Sequence, residues 1–151
     1  MKLKPYEQAK AKVFDRLKNI TDVSFLNGWM KFYLEDLIKG KNIPDMPSFP
    51  CVSCHYADDN HSGWGSGSMK VKSKRTINIS GAIRVGSRDR DTVNERLDTL
   101  HDTVLDALAG FEGLTFNSTR FSIPDGSTEY AMFDLNITID IHRSIKNEKE
   151  F

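Results

Sequence analysis

Residues 51–55 read Cys-Val-Ser-Cys-His. Cys-x-x-Cys-His is the spacing of a covalent c-type haem site. With His61, the set Cys51, Cys54, His55 and His61 would also offer four ligands to zinc. Either chemistry needs side chains that converge. Pro50 is a natural residue to precede a strand, and in a strand successive side chains alternate. Val52, Cys54 and Tyr56 then face one way, and Cys51, Ser53 and His55 the other. Two thiols three positions apart meet one ligand only if the backbone turns between them. Haem also needs an apolar pocket, whereas the neighbouring residues are Gly, Ser and Asp. A second Cys pair is missing from a chain with two cysteines. The residues therefore favour free thiols, with Cys54 a small buried hydrophobe and Cys51 less buried. No cofactor and no metal are expected.

Other reactive groupings are weaker. His101 stands beside Asp98 and Asp102, and His142 ends a strand; both read as surface histidines. No Gly-x-Ser-x-Gly elbow pairs a serine with a base. The run GWGSGS at 63–68 lacks the Lys-Ser/Thr of a phosphate loop and precedes no helix. Nothing nominates a nucleophile with its base, so no enzymatic activity is expected. Lys70, Lys72, Lys74 and Arg75 form a small basic cluster. It reads either as a solvated strand end or as a contact for an acidic partner or passing DNA backbone.

Bulk composition narrows the setting. A chain of 151 residues suits one domain. Basic and acidic residues balance at 21 each, which gives no push toward nucleic acid and leaves little repulsion between copies. There is no apolar run long enough to span a membrane. The stretch MKLKPYEQAKAKVF is charged throughout, so no secretory signal is expected. That also weighs against haem, which is attached to this motif outside the cytoplasm.

The elements that must position these residues follow from periodicity. Tyr6, Ala9, Val13, Phe14, Leu17 and Ile20 mark a helix over 5–20 that begins at Pro5. Residues 23–39 are apolar and ambiguous, and are read as a helix from about Gly28 to Gly40. Residues 43–50, with three prolines, are loop. CVSCHYA is a strand, and 58–69 a Gly/Ser-rich mobile loop. From 70 to 85 the period is two: Val71, Ile77, Ile79, Ile83 and Val85 share a face with Ser73, Arg75 and Gly81. The other face holds Lys72, Lys74, Thr76, Asn78, Ser80, Ala82 and Arg84. Gly81 suggests a bulge or a close approach. Thr92 and Glu95 spell a capping box for a helix with Val93, Leu97, Leu100, Val104 and Leu108 on one face, closed by Gly110. Short strand pieces at 114–116 and 121–123 precede a turn at 124–127. A last strand at 129–142 sets Phe133, Leu135, Ile137, Ile139 and Ile141 against Asp134, Asn136, Thr138, Asp140 and His142.

The expected fold is α+β, in the order α, α, β, β, α, β, β. It is a single mixed or antiparallel β-sheet with long strands, the helices packed on one face and the other face polar. One domain covers 1–142 and a polar tail 143–151. Strands of this length reach roughly 40 Å, about the width of such a domain. Their ends should overhang the core and offer attachment surfaces.

This succession resembles the tail terminator family of tailed bacteriophages, the minor tail protein U type. The resemblance lies in the leading helix, FPCVSCHYADDN, the long strand TINISGAIRV, the SRDRD break before VNERLDTLHDTVLDALAG, and the closing YAMFDLNITIDIH. It implies a structural virion protein without chemistry. Such a protein forms a homo-oligomer, a hexameric ring on the last ring of tail tube protein. The ring stops tube polymerisation and gives a docking surface to the neck or head–tail connector, and to a sheath if the tail is contractile. Genomic DNA passes through its lumen without specific binding. It is assembled in the host cytoplasm and kept in the virion tail, with no membrane partner. By position, His61, Trp64, Met69, Lys70, Lys72, Lys74 and Arg75 are the candidate interface residues. Another head–tail joining or neck protein, or a zinc or haem binder built on Cys51, Cys54 and His55, are the alternatives.

Overall fold

The computed structural model describes residues 5–40, 48–62, 70–86, 90–124 and 129–144; the side chains of 5–7, 9, 58–62, 70–73 and 141–144 lie outside the description. The fold is α+β: one mixed five-stranded sheet and three helices. In chain order the elements are α1 (Pro5–Lys18), β1 (Ser24–Asn27), α2 (Met30–Ile38), β2 (Cys51–Ser62), β3 (Lys70–Arg84), α3 (Val93–Leu108), β4 (Leu114–Ser122) and β5 (Tyr130–Ser144). The sheet order is β1-β2-β3-β5-β4, antiparallel except for the β1/β2 pair.

Alternation along the long strands fixes the main core. Ile77, Ile79 and Ile83 of β3, Val52 and Cys54 of β2, and Ala131, Phe133, Leu135, Ile137 and Ile139 of β5 form one buried face. Val13, Phe14 and Leu17 of α1 and Leu97, Leu100, Val104 and Leu108 of α3 cover it. Residues so spaced lie on one side of each helix, which is why these two helices lie flat on the sheet. Arg16 ties them together: its guanidinium donates to the Ala109 carbonyl at 3.0 Å, at the C-terminal end of α3. At Gly81 a Cβ would stand 2.3 Å from Cε2 of Phe133, so the glycine marks a close approach.

Several expectations are corrected. The segment before α2 is a strand, β1; at four residues it is too short for an alternation signal to stand out. The chain leaves β1 through Gly28, whose φ of 120° favours glycine, and begins α2 two residues later. α2 does not share the face of α1 and α3. Met30 and Leu34 bury against Cys51, Ala82 and Leu26 on the opposite face, beside Met132 and Tyr130. That face is polar along most of its length, and at this end its small and apolar residues accept a helix. Cys51 is therefore as buried as Cys54, at 0% and 2% exposure.

Strand β2 runs to Ser62, so residues 58–62 pair with β3 where a loop was expected; the mobile part of that expectation, 63–69, lies outside the described residues. β4 is one strand with a register shift between Phe116 and Ser118. α3 begins after a 3₁₀ turn at Arg90–Thr92, and the Thr92 side chain makes no cap hydrogen bond. Gly110 does follow the helix with φ 75°. β5 continues to Ser144, two residues into the expected tail.

Candidate interaction surface

The Cys-x-x-Cys-His side chains do not converge. Cys54 lies in the core under α1, and Cys51 under α2 with its Sγ 3.9 Å from Met30 Sδ. Both thiols are free, and burial pushes each up to about 12. His55 stands on the open face, its ring stacked on Trp29 at 3.8 Å. The sheet itself separates the two sulfurs, so this arrangement does not fit a haem or zinc site that uses both.

Asp98, His101 and Asp102 bring three potential ligand atoms within 4.8 Å of one another on α3. His101 has another role in packing. Its Nε2 lies 2.8 Å from Thr119 Oγ1, and its ring meets Phe121 and Phe133 edge-on. It is half-buried and links α3 to β4.

The open face is organised in rows that run across the strands. His55, Asn78, Asn136 and Asn117 form one hydrogen-bonded row over β2, β3, β5 and β4. Asn78 Nδ2 and His55 Nε2 are 3.4 Å apart, Asn136 Nδ2 donates to Asn78 Oδ1 at 2.7 Å, and Asn117 Nδ2 donates to Asn136 Oδ1 at 2.8 Å. In the next row Ser80 donates to Asp134 at 2.5 Å. Burial holds the His55 imidazolium below its ordinary range, opposed by the Asp134 charge. Over this floor, α2 on one side and the end of β4 on the other leave a cleft of about 680 Å³, with Trp29, Leu34, Arg120 and Ile123 in its walls.

The two sheet edges differ. At the β4 edge, Phe116 and Phe121 are 42% and 50% exposed. At the other edge β1 covers only Cys51–Cys54, and among the described residues no strand pairs with that side of His55–Ser62. Beyond the Leu114/Ile139 pair the sheet continues as β2, β3 and β5 alone, out to Lys70 and Ser144.

The residues expected at an interface are only partly gathered here. Lys74 is exposed and lies between Asn60 and Asp140 in the ladder. Arg75 turns to the other face, its guanidinium 4.6 Å over the Tyr56 ring. The basic cluster is thus split across the sheet, because adjacent strand residues alternate. The backbones of His61, Lys70 and Lys72 lie in the three-stranded extension, paired as His61/Ser73, Lys70/Ser144 and Lys72/Ser62. Trp64 and Met69 lie outside the described residues.

Sequence reading missed Phe116, Phe121, Trp29 and Phe32 as surface groups. A signal existed in β4. Leu114 and Phe116 are even positions and Phe121 an odd one. They share a face only if one extra residue is inserted between them, and Asn117 is that residue. Its side chain donates to Asn136 and, at 2.7 Å, to Thr138, which pins the bulge.

No family model matches the chain, and no curated protein matches it. Among the described residues, no helix is long and apolar enough to cross a membrane.

Proposed function

We propose that this chain is a structural virion protein of the tail-terminator kind. It self-associates into a closed ring, six copies by the resemblance, on the end of a tail tube. There it halts tube growth and presents a docking surface to the neck or head–tail connector. The observation that supports the reading is that, among the described residues, no further strand lies beside β4 at one edge of the sheet or beside β2 beyond β1 at the other. Surfaces on opposite sides of a subunit make heterologous contacts, and such contacts close into a ring when the rotation per copy permits. The balanced charge, 21 basic against 21 acidic residues, leaves little net repulsion between neighbours. The three-stranded extension gives each copy a projection of roughly 15–20 Å past the β4 pairing, at a rise of about 3.4 Å per residue. It carries the expected contacts His61, Lys70 and Lys72 toward a second partner, the tube or the neck.

The test is to add the purified protein to tail tube subunits of the same virion while they polymerise. Arrest of tube length, with an annulus at one end of each tube in electron micrographs, is the expected result. Tubes of unchanged length without annuli would reject the reading. Annuli that bind connector protein but leave tube growth untouched would replace it with a neck-protein role.

A further inference from the structure

The row of side chains across the open face has a direction. Asn117 Nδ2 donates to Asn136 Oδ1 at 2.8 Å and to Thr138 Oγ1 at 2.7 Å. Asn136 Nδ2 in turn donates to Asn78 Oδ1 at 2.7 Å. With that oxygen taken, Asn78 presents its Nδ2 to His55 Nε2, 3.4 Å away. An amide nitrogen can only donate. Nε2 must therefore accept, which puts the proton of the neutral His55 ring on Nδ1. From β4 through β5 and β3, every donor in the row points toward β2.

A charged His55 is incompatible with that direction. The imidazolium carries N–H on both ring nitrogens and accepts nothing. Its Nε2–H would face the Asn78 Nδ2, donor against donor. Turning the Asn78 amide over gives Nε2–H an oxygen, but aims Nδ2 at the Nδ2 of Asn136. Asn136 must then turn for the same reason, and Asn117 after it. The far end absorbs the reversal, because the Thr138 hydroxyl donates as readily as it accepts. His55 and Asn117 lie three strand spacings apart, roughly 14 Å. Asn117 is exposed on the edge strand. Its Nδ2 is held by two bonds while its Oδ1 is free among the described residues. In the reversed row Oδ1 is held and Nδ2 is free.

The surroundings of His55 bear on both of its states. Burial disfavours the cation, and the Asp134 carboxylate on β5 favours it; burial is the larger effect, so His55 titrates below its ordinary 6.5. The Trp29 ring stacked at 3.8 Å also attracts a cation through its π face. Lys31 and Glu35 of α2, which pair with each other at 3.9 Å, and Arg120 of β4 line the same cleft. The residues that β3 contributes there, Asn78 and Ser80, are uncharged.

We propose that this row is a two-state relay: the charge on His55 in β2 sets the direction of the Asn78, Asn136 and Asn117 amides, and so whether the β4 edge offers an acceptor or a donor at Asn117. The relay needs one copy only and stands apart from the ring reading. It is tested by nitrogen-15 NMR of the full chain, following the His55 ring nitrogens and the three asparagine side-chain amides from about pH 8 to about pH 4. At the alkaline end the His55 proton should sit on Nδ1. On acidification all three amides should shift with the His55 midpoint. In Asn136→Ala, Asn78 should still follow His55, while most of the Asn117 response is lost. In His55→Gln no amide of the row should titrate. A neutral His55 with its proton on Nε2 would overturn the relay, as would an Asn117 amide indifferent to the His55 midpoint. So would a response that survives His55→Gln, or a His55 that stays neutral until the chain unfolds in acid.

Discussion

The two ends of the sheet are made of the same strands and live in different surroundings. Near Cys51, Ala82 and Met132, α1 and α3 cover one face and α2 covers the other, so adjacent residues such as Val52 and Cys51 are both fully buried. Toward Thr76 and Thr138 no helix lies over the open face among the described residues, and it carries Asn, Thr and Lys. Beyond Leu114 even β4 stops. Alternation in a strand thus says which residues share a face. Whether that face is dry depends on what lies over it, and for α2 that is decided by tertiary packing.

The contrast should appear first in stability. Phe133→Ala, at the doubly covered end and fully buried, should cost about 3–5 kcal/mol, whereas Thr138→Ala on the open face should cost less than about 1 kcal/mol. Urea unfolding of both variants checks this, and equal losses would mean the two ends are alike. Second, the thiols titrate at about 12 against an ordinary value of 9.0. The unfolded chain loses these protons first. The stability they contribute is fully present below pH 9 and is lost as pH rises through 12, by an amount on the order of a few kcal/mol. In the native protein at neutral pH, Cys51 and Cys54 should both resist a thiol reagent. Rapid labelling of Cys51 alone would restore the one-sided sheet expected from sequence.

Third, Gly81→Ala forces a methyl into the ring of Phe133 and should cost about 1–3 kcal/mol. Pairing it with Phe133→Leu should recover part of that loss, so that the two changes are not additive. Fourth, and smallest, Asn136→Ala removes the middle link of the row between Asn78 and Asn117. It should cost about 1 kcal/mol, read from the same urea curves, with little change in the assembled mass.

How far these features were legible in the sequence follows from the same contrast. The long strands β3 and β5, with apolar residues at every second position, and α3, with Val93, Leu97, Leu100, Val104 and Leu108, were readable because each repeats its pattern several times. β1 was not, since four residues show no period. The bulge at Asn117 hid β4 as two pieces. The opposed directions of Cys51 and Cys54 followed from a strand alone, but the burial of Cys51 required knowing that α2 crosses to its side. The basic cluster is close in sequence, but the period of two already set Arg75 on the face opposite Lys74, and its guanidinium over the Tyr56 ring agrees with that. The exposed aromatics of the β4 edge depended on topology: only the order β1-β2-β3-β5-β4 makes β4 an edge.

The central claim, that function resides in self-association through the sheet edges, is tested most directly by sedimentation equilibrium of the purified chain over a wide concentration range. The account predicts a single closed species, near six times the 17.1 kDa chain mass, that forms without intermediate or larger aggregates. A chain that remains at 17.1 kDa throughout, or a twofold dimer that grows no further, would contradict it.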